Sequence, residues 1–151
     1  MGEVAERVHL AVDRLCRWQN WMPLHEVILP DGHRADVLAL RPDGGFVCIE
    51  VKSGVRDFMT DGKWPAYRGY CDAFFFAVEP DFPRALLPDD VGVVVAEAGM
   101  AEILREAPSH PLAPARRRAL LHLFAWTAAA RLSDVLDPEG ARERRSALRV
   151  E

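Results

Sequence analysis

Nowhere does the chain approach the roughly 20 consecutive apolar residues needed to cross a bilayer, so no membrane-spanning helix is expected. The opening MGEVAERVHLAVDRL mixes charges with apolar positions and lacks the apolar stretch of a secretion signal. Cysteine is scarce: Cys16, Cys48 and Cys71 are far apart and form no CxxC pair. That pattern argues against a structural zinc site and reads as buried thiols in a reducing compartment, with the cytoplasm the expected one. Positive charge is not in excess, with 19 Lys and Arg against 23 Asp and Glu and a formal net charge of −4. A sequence-independent DNA coat protein is thereby excluded, because it needs an overall positive field. An enzyme that touches nucleic acid through a local patch is not, and ARRRA (115–119) and ARERRSALR (141–149) supply two such patches. P-loop, GxGxxG, GxSxG and HExxH motifs are all missing, and His9, His25, His33, His110 and His122 have no metal-ligand spacing. Neither an internal repeat nor a low-complexity segment is present.

The 151 residues suffice for one domain with a sizeable core. We expect that domain to span residues 1–140, with 141–151 as a basic C-terminal extension, exposed and helical or frayed. Apolar Val4, Val8, Ala11, Val12 and Leu15 recur at helical spacing over residues 3–19. A connection through WMPLHEVILP leads into a first strand closed by the turn PDGH. RADVLAL and FVCIEVK then read as two strands joined by residues 41–45. Residues 54–62 are expected to be a loop, followed by a short helix over 64–72 and a strand at 73–79. A fifth strand, VGVVVAE, precedes an expected helix over MAEILREA and a long helix over 115–136. The order α-β-β-β-α-β-β-α-α predicts an α/β fold: a mixed sheet flanked by helices.

The chemistry lies in the hairpin formed by residues 34–52. Alternation along a strand puts Glu50 and Lys52 on one face and aligns Asp36 with Leu38 and Leu40. Pairing Leu40 with Phe46 and Leu38 with Cys48 brings Asp36 opposite Glu50, where Cβ atoms lie about 4.5–5.5 Å apart. Two carboxylates abreast between apolar layers repel each other and lose hydration, and something must compensate them. A hard divalent cation such as Mg²⁺ is one solution, with a substrate phosphate completing its shell. Lys52 could then orient a water or stabilise charge on phosphorus. A plain solvated ion network at a strand end is the other reading, and spacing does not choose between them.

The pattern Asp36, then Glu50-Val51-Lys52, resembles the PD-(D/E)xK nuclease superfamily, with Ala35 standing where that family's name has proline. More closely, GHRADVLAL, CIEVKSG, DGKWPAY and YCDAFFFAV resemble the MmcB-like family of bacterial DNA-repair proteins over residues 7–99. The resemblance implies a restriction-endonuclease-like fold and a DNA endonuclease dependent on Mg²⁺, with Mn²⁺ as a substitute. Asp36 and Glu50 would be metal ligands and, with Lys52, catalytic residues. Glu26 would be a further carboxylate of the metal shell, as an N-terminal acid often is in that superfamily. His33, Arg34, Lys63 and Tyr67 would be substrate contacts, each also readable as a turn, surface or packing residue. DNA would be the partner, with a repair polymerase or recombinase as a further one, in a nucleoid-associated setting. A nuclease-fold module that binds DNA or recruits partners without turnover is the alternative.

Overall fold

A computed structural model describes residues 2–150. Its helices are α1 (Glu3–Trp18), α2 (Val55–Thr60), α3 (Pro114–Leu136) and α4 (Pro138–Val150). Its strands are β1 (Met22–Ile28), β2 (Arg34–Leu40), β3 (Phe46–Val51), β4 (Ala73–Val78), β5 (Gly92–Glu97) and β6 (Met100–Arg105). The six strands form one sheet in sequence order, antiparallel except for the parallel β3–β4 and β4–β5 pairs. This mixed sheet flanked by helices is an α/β fold, consistent with a restriction-endonuclease-like arrangement.

The apolar stripe of α1 is the reason it covers one face of the sheet. Val8, Ala11, Val12, Leu15 and Cys16 pack into a single cluster with Val37, Ile49, Phe75, Ala77 and Val94. Glu3 and Glu6 in the first turn and Arg17 in the last complement the helix dipole. Asn20 ends α1 in the left-handed region at φ 60°, and the Trp21 N–H closes back on the Cys16 carbonyl at 2.7 Å. On the opposite face Phe74 and Phe76 meet Phe58, Trp64 and Tyr67 edge-on, tilted or stacked, with ring centroids 5.4–6.4 Å apart. Trp64 and Tyr67 belong to a 3-10 helix, Trp64–Tyr70, with Pro65 in its first turn.

Two expectations are corrected. Residues 54–62 are not all loop, since α2 occupies most of them. MAEILREA is not a helix: Met100–Arg105 is the edge strand β6, whose residues alternate exposed and half-buried. Helix-favouring Ala, Glu and Leu misdirect the reading of this segment. The deciding signal is Ala98-Gly99, where φ of 52° and 77° makes the two-residue turn that folds β6 back onto β5. Ala101 and Ile103 then point to the α1 face of the sheet and join its cluster.

Asp72, just after the 3-10 helix, is paired with a cation. It accepts from both terminal nitrogens of Arg117 at 2.6 and 2.9 Å, and from the Phe46 and Leu112 N–H groups at 2.7 and 2.9 Å. Burial works against its charge, but Arg117 and the two peptide donors outweigh that and hold the carboxyl down to about 2. Arg116 beside it donates to the Gly69 carbonyl and lies over the Tyr70 ring at 4.6 Å. These two arginines of the ARRRA patch are therefore engaged within the protein.

The chain divides into two compact units, one ending at Arg117 and the other beginning at Arg118. In the second, α3 and α4 are linked by the Arg144–Asp134 ion pair at 2.6 Å. Leu120 and Phe124 of α3 are buried, whereas Trp126 and Leu132 are exposed. Among the described residues no helix is long and apolar enough to cross a membrane.

Candidate active site

The hairpin register is the expected one, with Leu40 opposite Phe46 and Leu38 opposite Cys48. The backbone ladder between β2 and β3 runs as far as Val37–Ile49, and at the next step side chains replace it. The Asp36 N–H donates to Glu50 Oε1 at 2.8 Å, and the Val51 N–H donates to Asp36 Oδ2 at 2.8 Å. Each carboxylate thus stands where a strand carbonyl would, locking the other's position. On β1, Glu26 falls between the His25–Val37 and Val27–Ala35 pairs, at the level of Asp36. Its φ of 51° is a strained conformation for a residue with a side chain inside a strand, and such strain concentrates at working sites.

Glu50 is only 4% exposed, and Asp36 is half-buried. Burial first, then the charge of Asp36, pushes the Glu50 carboxyl up to about 9; the Asp36 N–H and Lys52 offset this only in part. At neutral pH Glu50 holds a proton unless a cation replaces it.

Lys52, 6% exposed, turns its ammonium to Asp61, with Nζ to Oδ2 at 2.6 Å; Asp57 lies at the edge of ion-pair range at 4.0 Å. Helix α2 sets this up, because Asp61 follows its last turn. Asp57 in its first turn accepts from the Ser53 N–H and hydroxyl at 2.9 and 3.2 Å. Asp61 also accepts from the Lys63 N–H at 2.8 Å. Burial opposes its charge, but Lys52 and that N–H hold its carboxyl below the usual range.

These groups line one cleft of about 850 Å³. Glu26, Asp36, Glu50 and Lys52 share it with His33, Arg34, Lys63 and Tyr67, so all the expected site residues border the same space. Their situations differ. Tyr67 is buried and its hydroxyl donates to the Arg34 carbonyl at 3.0 Å, so it straps the 3-10 helix to β2. His33 is held by Asp31, Nδ1 to Oδ2 2.8 Å, at the β1–β2 turn. The Arg34 and Lys63 side chains are exposed at the rim.

Two features escape sequence reading. One is Asp61, although a lysine on an apolar strand demands a counter-ion and the nearby acids Asp57 and Asp61 are its natural source. The other is a wall of the cleft made by His9 of α1. His9 Nδ1 lies 3.3 Å from His25 Nδ1, and His25 Nε2 lies 2.9 Å from Asp13 Oδ1. Burial lowers the pKa of His9, against the raising influence of Asp36. Only the packing of α1 over the sheet unites residues sixteen positions apart.

The donor set is all-oxygen at Asp36 and Glu50, which suits a hard divalent cation. Among the described residues no three His, Cys, Asp or Glu side chains are gathered as they stand into a metal-holding group. The family model for DNA repair protein MmcB-like matches residues 1–139. The chain belongs to the MmcB-like family of DNA-repair proteins. No curated protein matches it. A solved structure of an SPO1766 protein of unknown function from Silicibacter pomeroyi is similar, with 42% identity and a TM-score of 0.87. The match covers 92% of this chain and 95% of that one. Membership of the MmcB-like family supports a role in DNA repair, and the fold is compatible with the PD-(D/E)xK superfamily.

Proposed function

We propose that the cleft is the active site of a Mg²⁺- or Mn²⁺-dependent DNA endonuclease acting in repair. The observation that carries this reading is the pair Asp36–Glu50: two acids locked face to face, one of them buried, with no cationic side chain among the described residues seated between them. Such a pair is costly as a structural device and is explained if a divalent cation belongs there. Asp36 and Glu50 would hold the cation, and Glu26 on the neighbouring strand would complete its shell. When bound, the cation supplies Lewis-acid polarisation of the phosphodiester and neutralises charge on its oxygens.

The chain's own residues do the rest. Lys52, fixed by Asp61, presents an ammonium to the charge that builds on the phosphorus oxygens. Arg34 and Lys63 at the rim contact flanking phosphates, with His33 beside them. Tyr67 holds the Arg34 backbone in place and borders the path of the strand. DNA is the partner, which puts the protein at the nucleoid. The test is cleavage of single-stranded, duplex, flapped and mismatched DNA in Mg²⁺ or Mn²⁺, comparing wild type with Asp36→Asn. Cutting that vanishes in the variant is expected; intact substrates throughout would remove the enzyme reading.

A second reading is a module that binds DNA, or recruits a repair polymerase or recombinase, without turnover. It is favoured by the absence of a gathered three-donor group among the described residues and by the net charge of −4. Calorimetry separates the two, since an inert module need not bind Mn²⁺ at Asp36.

A further inference from the structure

The second unit leaves an apolar face uncovered. On α3, Leu121, Ala125, Ala128, Leu132 and Val135 follow one another at steps of four and three, with Leu136 beside them, and so form one stripe of the helix. Its large side chains are exposed: Leu121 at 39%, Leu132 at 58%, Val135 at 74% and Leu136 at 76%. Arg131 and Asp134, the charges in the same stretch, fall off the stripe. Leu120 and Phe124 are buried on a neighbouring face. Helix α4 takes a third, where Trp126, Ala130 and Ser133 border a groove with Ala141, Arg144 and Leu148. A helix apolar nearly all round is built to be covered.

We propose that a second copy of this chain covers the stripe, α3 against α3, running antiparallel about a two-fold axis. Size is one reason. Leu121 and Leu136 stand equally far from the middle of the stripe, and so do Ala125 and Leu132. An axis at that middle sets Leu121 against the partner's Leu136 and seats Leu132 over the partner's Ala125, large on small. Ala128 then lies by the axis, where the backbones come closest.

Charge is the second reason. Helix α3 is charged against its own dipole, with no acid in its first turn and no base in its last. Arginines up to Arg118 open it, and Asp134 and Asp137 stand at its close. An antiparallel copy brings the acidic end of one helix beside the basic end of the other and sets the two dipoles head to tail. Area is the third. The exposed fractions amount to roughly 600 Å² per copy, so a pair buries about 1,200 Å², the lower bound for a specific interface.

Sedimentation velocity of the full chain should show a particle of twice 16.9 kDa that dissociates on dilution. A monomer at every concentration up to about 100 µM overturns the proposal, because an interface of this area should bind in the micromolar range or tighter. Leu132→Glu and Leu136→Glu should each raise the dissociation constant roughly 100-fold or more, since a carboxylate would enter an apolar seam. Their helical circular dichroism should match wild type. Met100→Glu lies on the edge strand β6, where two sheets could join instead, and should pair like wild type. Pairing lost there and kept in Leu132→Glu overturns the assignment to α3.

Cross-linking reads the direction without adding charge to the seam. Cys16, Cys48 and Cys71 are buried, so diamide should link two copies of Ala128→Cys through that position. Leu121→Cys should link to Leu136→Cys when the two variants are mixed, and not to itself. Leu121→Cys linked to itself would mean a parallel pair and overturns the arrangement. The cleft has no part in this, so Asp36→Asn should pair like wild type. A protein that pairs but cuts nothing keeps the α3 seam and removes the nuclease reading alone.

Discussion

Asp72 and Glu50 are buried to nearly the same degree, at 3% and 4% exposed, and stand by opposite ends of β3. Asp72 has Arg117 and two peptide N–H groups around it and is held down to about 2. Glu50 has one peptide N–H and faces a second carboxylate, and it is pushed up to about 9. Burial pushes both carboxyls up, and only Asp72 has partners that outweigh it. A buried acid whose charge is fully met ties a fold together. On the nuclease reading proposed above, one whose charge is left unmet stores a demand for a cation.

The largest effects are expected at the acids of the cleft. Asp36→Asn or Glu50→Gln should reduce DNA cleavage by roughly 100-fold or more, the scale of losing a group that manages transition-state charge. Both proteins should remain folded by circular dichroism. Asp72→Asn should act the other way round, leaving Mn²⁺ binding intact while costing about 3 kcal/mol of stability in urea unfolding.

Stability as a function of pH should separate the two acids again. The Asp72 carboxyl is depressed, so its contribution is present above the ordinary value of 3.8 and is lost as pH falls toward 2. Glu50 is raised, so without a cation its contribution is present below 4.5 and is lost as pH rises toward about 9. Melting temperatures of Glu50→Gln in chelator should therefore overtake wild type as pH climbs from 4.5 toward about 9, and the gap should close when Mn²⁺ is added. Equal slopes for both proteins would contradict this.

Smaller effects follow at the residues around the acids. Asp61→Asn releases Lys52 and should lower cleavage about tenfold, as loss of an outer partner that orients a working group does. Arg34→Ala and Lys63→Ala should each weaken DNA binding a few-fold. Each should also reduce the slope of affinity against salt by about one, measured by fluorescence anisotropy.

Much of this site is legible in the sequence. Alternation and the five-residue connection set the register of β2 and β3, and register alone brings Asp36 level with Glu50. What escapes is contact between distant segments. The pairing of Lys52 with Asp61 depends on where α2 ends, and the His9–His25 bond depends on how α1 crosses β1. Strand β6 escapes for a local reason. Its residues favour helix, and a two-residue turn with positive φ at Ala98 and Gly99 overrides them. Asp72 is readable as a residue in need of a cation, but Arg117 lies 45 residues away and only the fold names it.

Anomalous diffraction from crystals soaked in Mn²⁺ tests whether the unmet charge of the cleft is a place for a cation. One strong peak, bonded by oxygens of both Asp36 and Glu50 and absent in Glu50→Gln, is the expected result. A clean map at that position under saturating Mn²⁺, with the Asp36 and Glu50 side chains unmoved, would contradict it.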